Sequence, residues 1–80
     1  MTHKEIAFDA GIIAMIIKTQ YEFDDIEEFG RAVGSGMYYY LQSGMSLENW
    51  LYAHGCPASK TNQIAAARKK ALAMHWGEEK

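Results

Sequence analysis

Apolar residues recur at helical spacing in four segments of this 80-residue chain, and no segment shows the sustained period-two alternation of a strand. With 49% hydrophobic residues, 22% charged residues and a single proline, the chain has enough apolar surface to form a compact globule. Its length corresponds to one domain. The sequence therefore predicts an all-α fold, a small single-domain bundle over residues 1–80 with two longer helices, one short helix and a basic C-terminal helix.

The first predicted helix begins at a cap on Thr2 and runs to about Thr19. Two apolar stripes cover so much of this helix that most of its sides require burial. Three short partner helices are not enough to cover that surface. We therefore expect a homodimer that covers the surplus apolar surface. The two apolar stripes of this helix are Ile6, Ala10, Ile13 and Ile17, and Phe8, Ile12 and Met15.

The second predicted helix begins at a cap on Asp24 and reaches Leu41 or Gln42. Gly30 and Gly34 lie four residues apart on one face, and each costs about 1 kcal/mol relative to alanine in a helix interior. We therefore expect the first helix to pack closely against these two glycines. The expected core stripe is Ile26, Phe29, Val33, Met37 and Leu41.

Three consecutive tyrosines at positions 38–40 cannot all be buried, because consecutive helical residues point about 100 degrees apart. We expect Tyr40, together with Tyr39, to complete the core and Tyr38 to lie in a surface contact. Trp76 covers the core or joins an oligomer contact. Exposed aromatic surface is typical of interfaces, so Tyr38 and Trp76 are assigned to the partner-binding surface.

The last third of the chain predicts a short helix, a turn and a fourth helix. Ser46 caps the short helix, and Gly55 ends it. The fourth helix begins with Pro57 in its first turn or with Ser59 as its cap, and runs to about Trp76. We expect residues 77–80 to fray.

Charge is unevenly divided along the sequence. Residues 1–54 carry three basic and eight acidic side chains, a net charge of -5, whereas residues 55–80 carry five basic and two acidic ones, a net charge of +3. Two interpretations of the densest acidic cluster stay open: a solvated helix start that complements the helix dipole, or a docking patch for a basic partner surface. This cluster holds five carboxylates within seven residues, Glu22, Asp24, Asp25, Glu27 and Glu28.

The sequence offers no constellation for catalysis, a cofactor or a metal ion. The three histidines and Cys56 lack the paired spacing of zinc sites, and the carboxylates look exposed. We therefore expect no enzymatic activity, no cofactor and no bound metal. A single cysteine is typical of a reducing compartment, and the apolar run at residues 6–17 is too short to span a bilayer. A cytoplasmic protein without a membrane partner is expected.

These features favour a small non-catalytic binding protein that modulates or inhibits a macromolecular partner, most directly a protein. Such short, acid-leaning chains resemble the accessory proteins that bacteriophages and mobile elements use against host defence or nucleic-acid-handling complexes. The partner-binding residues are expected to be the five acidic side chains of the cluster together with Tyr38 and Trp76.

The alternative function is a dimeric helix-turn-helix regulator that binds DNA through the fourth helix. A polar start to that helix suits base edges, and a following basic run suits phosphates. Two features weaken this match: the turn is long if Ser59 is the cap, and Leu51 occupies a position where the motif prefers a small residue. The residues assigned to nucleic acid are Lys60, Asn62 and Gln63, then Arg68, Lys69 and Lys70.

Overall fold

The structure, a computed structural model, describes residues 2–74 and contains four helices and no strand within them. The helices are α1 (His3–Gln20), α2 (Ile26–Ser43), α3 (Leu47–Ala53) and α4 (Ala58–Ala73). The all-α class is therefore confirmed, with two longer helices and one short one. In this part of the chain no helix combines the length and the apolar character that crossing a bilayer requires.

The chain divides between Met45 and Ser46 into two compact units. In the first unit α1 packs against α2, and in the second α3 packs against α4. A single domain over residues 1–80 stays a prediction. The expected fraying of residues 77–80 and the position of Trp76 lie outside the described residues.

Thr2 caps α1, as predicted, and the structure shows that it forms a capping box with Glu5. The backbone N–H of Glu5 donates to Oγ1 of Thr2 at 3.2 Å, and the backbone N–H of Thr2 donates to Oε1 of Glu5 at 2.7 Å. These reciprocal bonds satisfy two donors that a helix start otherwise leaves unpaired. The helix ends at Gln20, one residue beyond the expected end at Thr19.

The buried face of α1 is narrower than the two predicted stripes. It consists of Asp9, Ile13, Ile16 and Ile17, which follow the spacing of a single helix face. Ile16 is buried although neither stripe included it. Met15 is exposed, so its assignment to a buried stripe was wrong. The carboxylate of Asp9 lies on the buried face itself, where the sequence showed only an interruption of the apolar run.

The N-cap of α2 is Asp25, and the prediction of Asp24 was wrong by one residue. Oδ1 of Asp25 accepts from the backbone N–H of Glu28 at 2.7 Å. The side chain of Glu28 reaches back, and its Oε1 accepts from the backbone N–H of Asp24 at 3.1 Å. The helix extends to Ser43, slightly beyond the expected end at Leu41 or Gln42, and Gly44 follows in the left-handed conformation with a φ of 70 degrees.

The buried stripe of α2 is rotated relative to the prediction. Ile26 is 83% exposed and Leu41 is also exposed, so both were wrongly assigned to the core. Tyr40 is buried and Tyr38 is exposed, as expected, but Tyr39 is 70% exposed and does not contribute to the core. The other residues of the predicted stripe are half-buried, namely Phe29, Val33 and Met37. Position 40 lies about 100 degrees around the helix from position 41, so the inward face is shifted toward Tyr40.

Close approach between α1 and α2 occurs at Gly36, whereas Gly30 and Gly34 were predicted. A Cβ atom built on Gly36 would lie 3.0 Å from Cδ1 of Ile17 and 3.3 Å from Cγ2 of Ile13. The same construction at Gly30 or Gly34 meets no atom of residues 2–74 within 4 Å. The close-packed face of α2 therefore contains Gly36, consistent with the rotation that buries Tyr40.

In the second unit, Ser46 caps α3 as predicted, with its Oγ accepting from the backbone N–H of Asn49 at 3.2 Å. Gly55 follows α3 with a φ of 81 degrees, a conformation that favours glycine. Pro57 itself occupies the N-cap of α4 and offers no side-chain hydrogen bond. Of the two predicted starts, Ser59 as the cap was wrong, and Pro57 stands at the helix start, one position before the first turn in which it was expected. The connection between α3 and α4 comprises residues 54–57.

Candidate functional site

Three residues of the acidic cluster, Glu22, Asp24 and Asp25, line a groove of about 620 Å³ beside the connection between α1 and α2. We call this groove the acidic groove. A volume of this size falls within the range of small binding sites. Its lining residues are Lys18, Tyr21, Glu22, Phe23, Asp24, Asp25, Ile26 and Phe29.

Aromatic side chains form the apolar part of the acidic groove. The ring of Phe23 contacts that of Phe29 edge-on, with a centroid distance of 5.4 Å, and lies 6.4 Å from the ring of Tyr21. Tyr21 is 59% exposed, and Ile26 is the most exposed large apolar side chain described. Sequence reasoning missed this apolar surface because it placed Ile26 in the core.

Three of the five clustered carboxylates have local structural roles. Asp25 caps α2, Glu28 accepts from the backbone of Asp24, and Glu27 pairs with Arg31 at 3.6 Å across one helical turn. This exposed pair contributes little to stability. For these three residues the structure agrees with the interpretation of a helix start that complements the helix dipole.

The carboxylates of Glu22 and Asp24 remain free. Both residues are exposed, and within residues 2–74 neither carboxylate accepts a hydrogen bond or forms an ion pair. Both line the groove beside Ile26. Among the described lining residues Lys18 is the single cation, so acidic side chains predominate among them.

Tyr38 is exposed but lies on a different surface from the acidic groove. Its ring contacts that of Tyr39 edge-on at a centroid distance of 5.8 Å. Twelve residues separate it from Ile26 on the same helix, which corresponds to about 18 Å along the axis. The structure therefore does not bring Tyr38 together with the acidic cluster, and Trp76 lies outside the described residues.

The residues assigned to nucleic acid share α4, a helix without any acidic side chain. Lys60, Asn62 and Gln63 are exposed in its first half, and Lys69 and Lys70 are exposed in its second half. Arg68 is only partly exposed. The five exposed residues are called the basic face below.

The side chains near the α3–α4 turn have structural partners. The imidazole of His54 stacks on the indole of Trp50 with a centroid distance of 3.8 Å, and its Nδ1 lies 2.9 Å from the backbone oxygen of Trp50. Cys56 is half-buried, and its backbone N–H donates to the oxygen of Leu51 at 3.0 Å. Among the described residues no three His, Cys, Asp or Glu side chains gather in a way that could hold a metal ion.

No protein-family model, curated protein or solved structure matches the chain. Its function is therefore inferred from the two surfaces, the acidic groove and the basic face.

Proposed function

We propose that this protein is a small non-catalytic binding protein that modulates or inhibits a protein partner through the acidic groove. The observation that carries the proposal is the presence of exposed apolar side chains and free carboxylates in one groove. Isolated exposed apolar residues are common on protein surfaces. Here Ile26, Tyr21 and Phe23 line the same groove as Glu22 and Asp24. Contiguous apolar surface with a polar rim is typical of interaction sites.

The occupant we propose is a basic amphipathic segment of a protein. Its apolar side chain would cover Ile26, and its arginines or lysines would pair with Glu22 and Asp24. An arginine is also attracted to the faces of aromatic rings, which Tyr21 and Phe23 supply. The free carboxylates repel phosphates, so the acidic groove favours a protein over a nucleic acid.

A basic surface of this kind is what nucleic-acid-binding proteins use to hold phosphates. By covering it, the protein would compete with nucleic acid for its partner, which is the mode of action expected for a phage- or mobile-element-type accessory protein. The proposal places this activity in the cytoplasm. It requires neither a cofactor nor a catalytic group.

The homodimer expected from the sequence remains part of the proposal, with Met15 and Leu41 as exposed apolar residues of the first unit available for it. Binding in the acidic groove does not depend on it. Sedimentation equilibrium of the full chain tests the dimer directly, and a monomer across the micromolar range would remove it from the proposal.

The acidic groove is tested with a fluorescein-labelled twelve-residue peptide in which arginines flank two leucines and a tryptophan. Its binding is followed by fluorescence anisotropy. The double variant E22K/D24K should bind about tenfold more weakly, because two exposed ion pairs are replaced by repulsion. I26S should weaken binding to a similar extent by removing the apolar contact.

Matched controls separate the groove from general charge and general apolar surface. E48K makes the same kind of charge reversal on α3, and L41S removes an exposed apolar side chain elsewhere on α2. Neither control should change the affinity. Equal binding of the peptide to wild type and to E22K/D24K would contradict the proposed function.

A further inference from the structure

The second unit contains two packed helices joined by a short turn, which is the order of elements in a helix-turn-helix. α3 packs against α4, and the four residues 54–57 join them. Gly55 takes the left-handed conformation, and its backbone N–H donates to the oxygen of Tyr52 at 3.0 Å. DNA-binding helix-turn-helix motifs join their helices by three or four residues, often with a glycine. The turn is short because α4 begins at Ala58. The longer turn that a cap on Ser59 would give is therefore not formed.

The buried residues of α4 lie on one side of the helix, and exposed polar residues lie on the other side. Thr61 and Ile64 are buried, and Arg68 is partly buried on the same side of the helix. Asn62, at about 100 degrees from Thr61, is exposed. The exposed side also carries Ala66, whose small side chain permits close approach to the helix backbone. The second helix of a helix-turn-helix requires an outward polar side of this kind.

We propose that the basic face of α4 binds duplex DNA, with α4 lying in the major groove. This function is independent of the acidic groove, because it rests on residues of the other unit. Its members are Lys60, Asn62, Gln63, Lys69 and Lys70.

Charge complementarity identifies DNA as the occupant. Lys60, Lys69 and Lys70 are exposed and form no hydrogen bond or ion pair within residues 2–74. Glu48 is the only acidic residue between positions 46 and 74 of the sequence. Lys60 and Lys69 stand about 14 Å apart along the helix axis, close to the major-groove width of about 12 Å. The lysines therefore have the spacing to reach phosphates on both sides of the groove.

Asn62 and Gln63 lie in the first half of α4, where recognition helices contact base edges. A side-chain amide carries the donor and acceptor pair that matches the major-groove edge of adenine. These two residues are therefore the sequence-reading residues, and the lysines are the phosphate-contacting residues.

The test uses the full chain and a fluorescein-labelled mixed-sequence DNA duplex, with anisotropy measured at 50 mM and 200 mM salt. Three phosphate contacts should weaken binding roughly 40-fold between the two salt concentrations, because the logarithm of affinity falls with a slope of about -0.9 per contact. K69Q/K70Q leaves one contact and should reduce this change to roughly 3.5-fold. K18Q and I26S, both in the first unit, should bind DNA as the wild type does. Circular dichroism verifies that each variant is folded.

Three results would overturn DNA binding by the basic face. The first is no binding at 50 mM salt with protein up to about 100 µM, the weak end of non-specific affinity. The second is an unchanged salt dependence in K69Q/K70Q. The third is equal affinity for duplex RNA, whose major groove is too deep and narrow for side chains to read.

Sequence reading is tested by selecting bound duplexes from a random pool. On the enriched sequence, N62A should lose roughly 5- to 150-fold in affinity, while its affinity for the mixed-sequence duplex should stay unchanged. Failure of the pool to enrich, or an equal loss on both duplexes, would overturn the base-reading role of Asn62.

Discussion

The hydroxyl of Tyr40 donates a hydrogen bond of 2.6 Å to Oδ2 of Asp9 and thereby joins α2 to α1. Asp9 is 0% exposed and Tyr40 is 2% exposed. A buried carboxyl group destabilises a fold unless it is hydrogen bonded, so this bond offsets part of the cost of placing Asp9 in the interior. It also fixes the rotation of α2, because only position 40 of the three tyrosines lies on the buried side.

Tyr40→Phe should lower the free energy of unfolding by about 1–3 kcal/mol, because it removes a buried donor to Asp9 while keeping the ring. Urea denaturation followed by circular dichroism measures this change. Tyr39→Phe provides the matched control, since the hydroxyl of the neighbouring, exposed tyrosine should contribute less than about 0.5 kcal/mol. Equal effects of the two substitutions would show that the Tyr40–Asp9 bond does not stabilise the first unit.

Asp25→Ala should destabilise the chain by about 1 kcal/mol, because its side chain caps α2 through the backbone N–H of Glu28. Asp24→Ala should have an effect near zero, since the backbone of Asp24, and not its carboxylate, makes the hydrogen bond at this helix start. The midpoints of thermal unfolding of the two variants, measured at the same pH and salt concentration, show which residue caps α2. A larger loss for Asp24→Ala would reverse the assignment of the cap.

Local signals made the helices predictable, whereas their rotation depended on long-range contacts. Thr2, Ser46 and Gly44 act on residues within one turn, so their roles could be predicted from neighbouring positions. The Tyr40–Asp9 bond connects positions 31 residues apart. With apolar residues on several sides of α1 and α2, periodicity alone did not determine which side faces inward.

The candidate site was also predictable only in its local features. The acidic cluster was evident in the sequence, but its division depends on side-chain geometry. The carboxylates of Asp25, Glu27 and Glu28 have local partners, whereas within residues 2–74 those of Glu22 and Asp24 have none. The exposed Ile26 was placed in the core by its helical spacing. Ile26 has the helical spacing of the predicted core residues but lies in the first turn of α2, where it is exposed. Its exposure depends on how α2 packs, which the spacing does not give.

Gly34→Ala should raise the free energy of unfolding by about 0.5–1 kcal/mol, because Gly34 lies in a helix interior with open space around its Cβ position. Gly36→Ala introduces the same methyl group against Ile17 and Ile13, at 3.0 Å and 3.3 Å. The contacts with two buried isoleucines should cancel the gain, so this variant should be less stable than Gly34→Ala. Denaturant titrations of the two variants provide the comparison. A Gly36→Ala variant as stable as Gly34→Ala would show that α1 and α2 are not in close contact at this position.

Thr61→Val should stabilise the chain by about 1 kcal/mol. Thr61 is fully buried, and its Oγ1 has no hydrogen-bond partner in the part of the chain that the structure describes. Burying an unsatisfied hydroxyl costs about 1–3 kcal/mol, and valine fills nearly the same volume without a polar atom. Thr61→Ala removes the hydroxyl and also a methyl group, so the space it leaves should make it less stable than Thr61→Val. Thermal unfolding of both variants separates the two effects, and a loss of stability in Thr61→Val would imply that the hydroxyl has a partner in the folded chain.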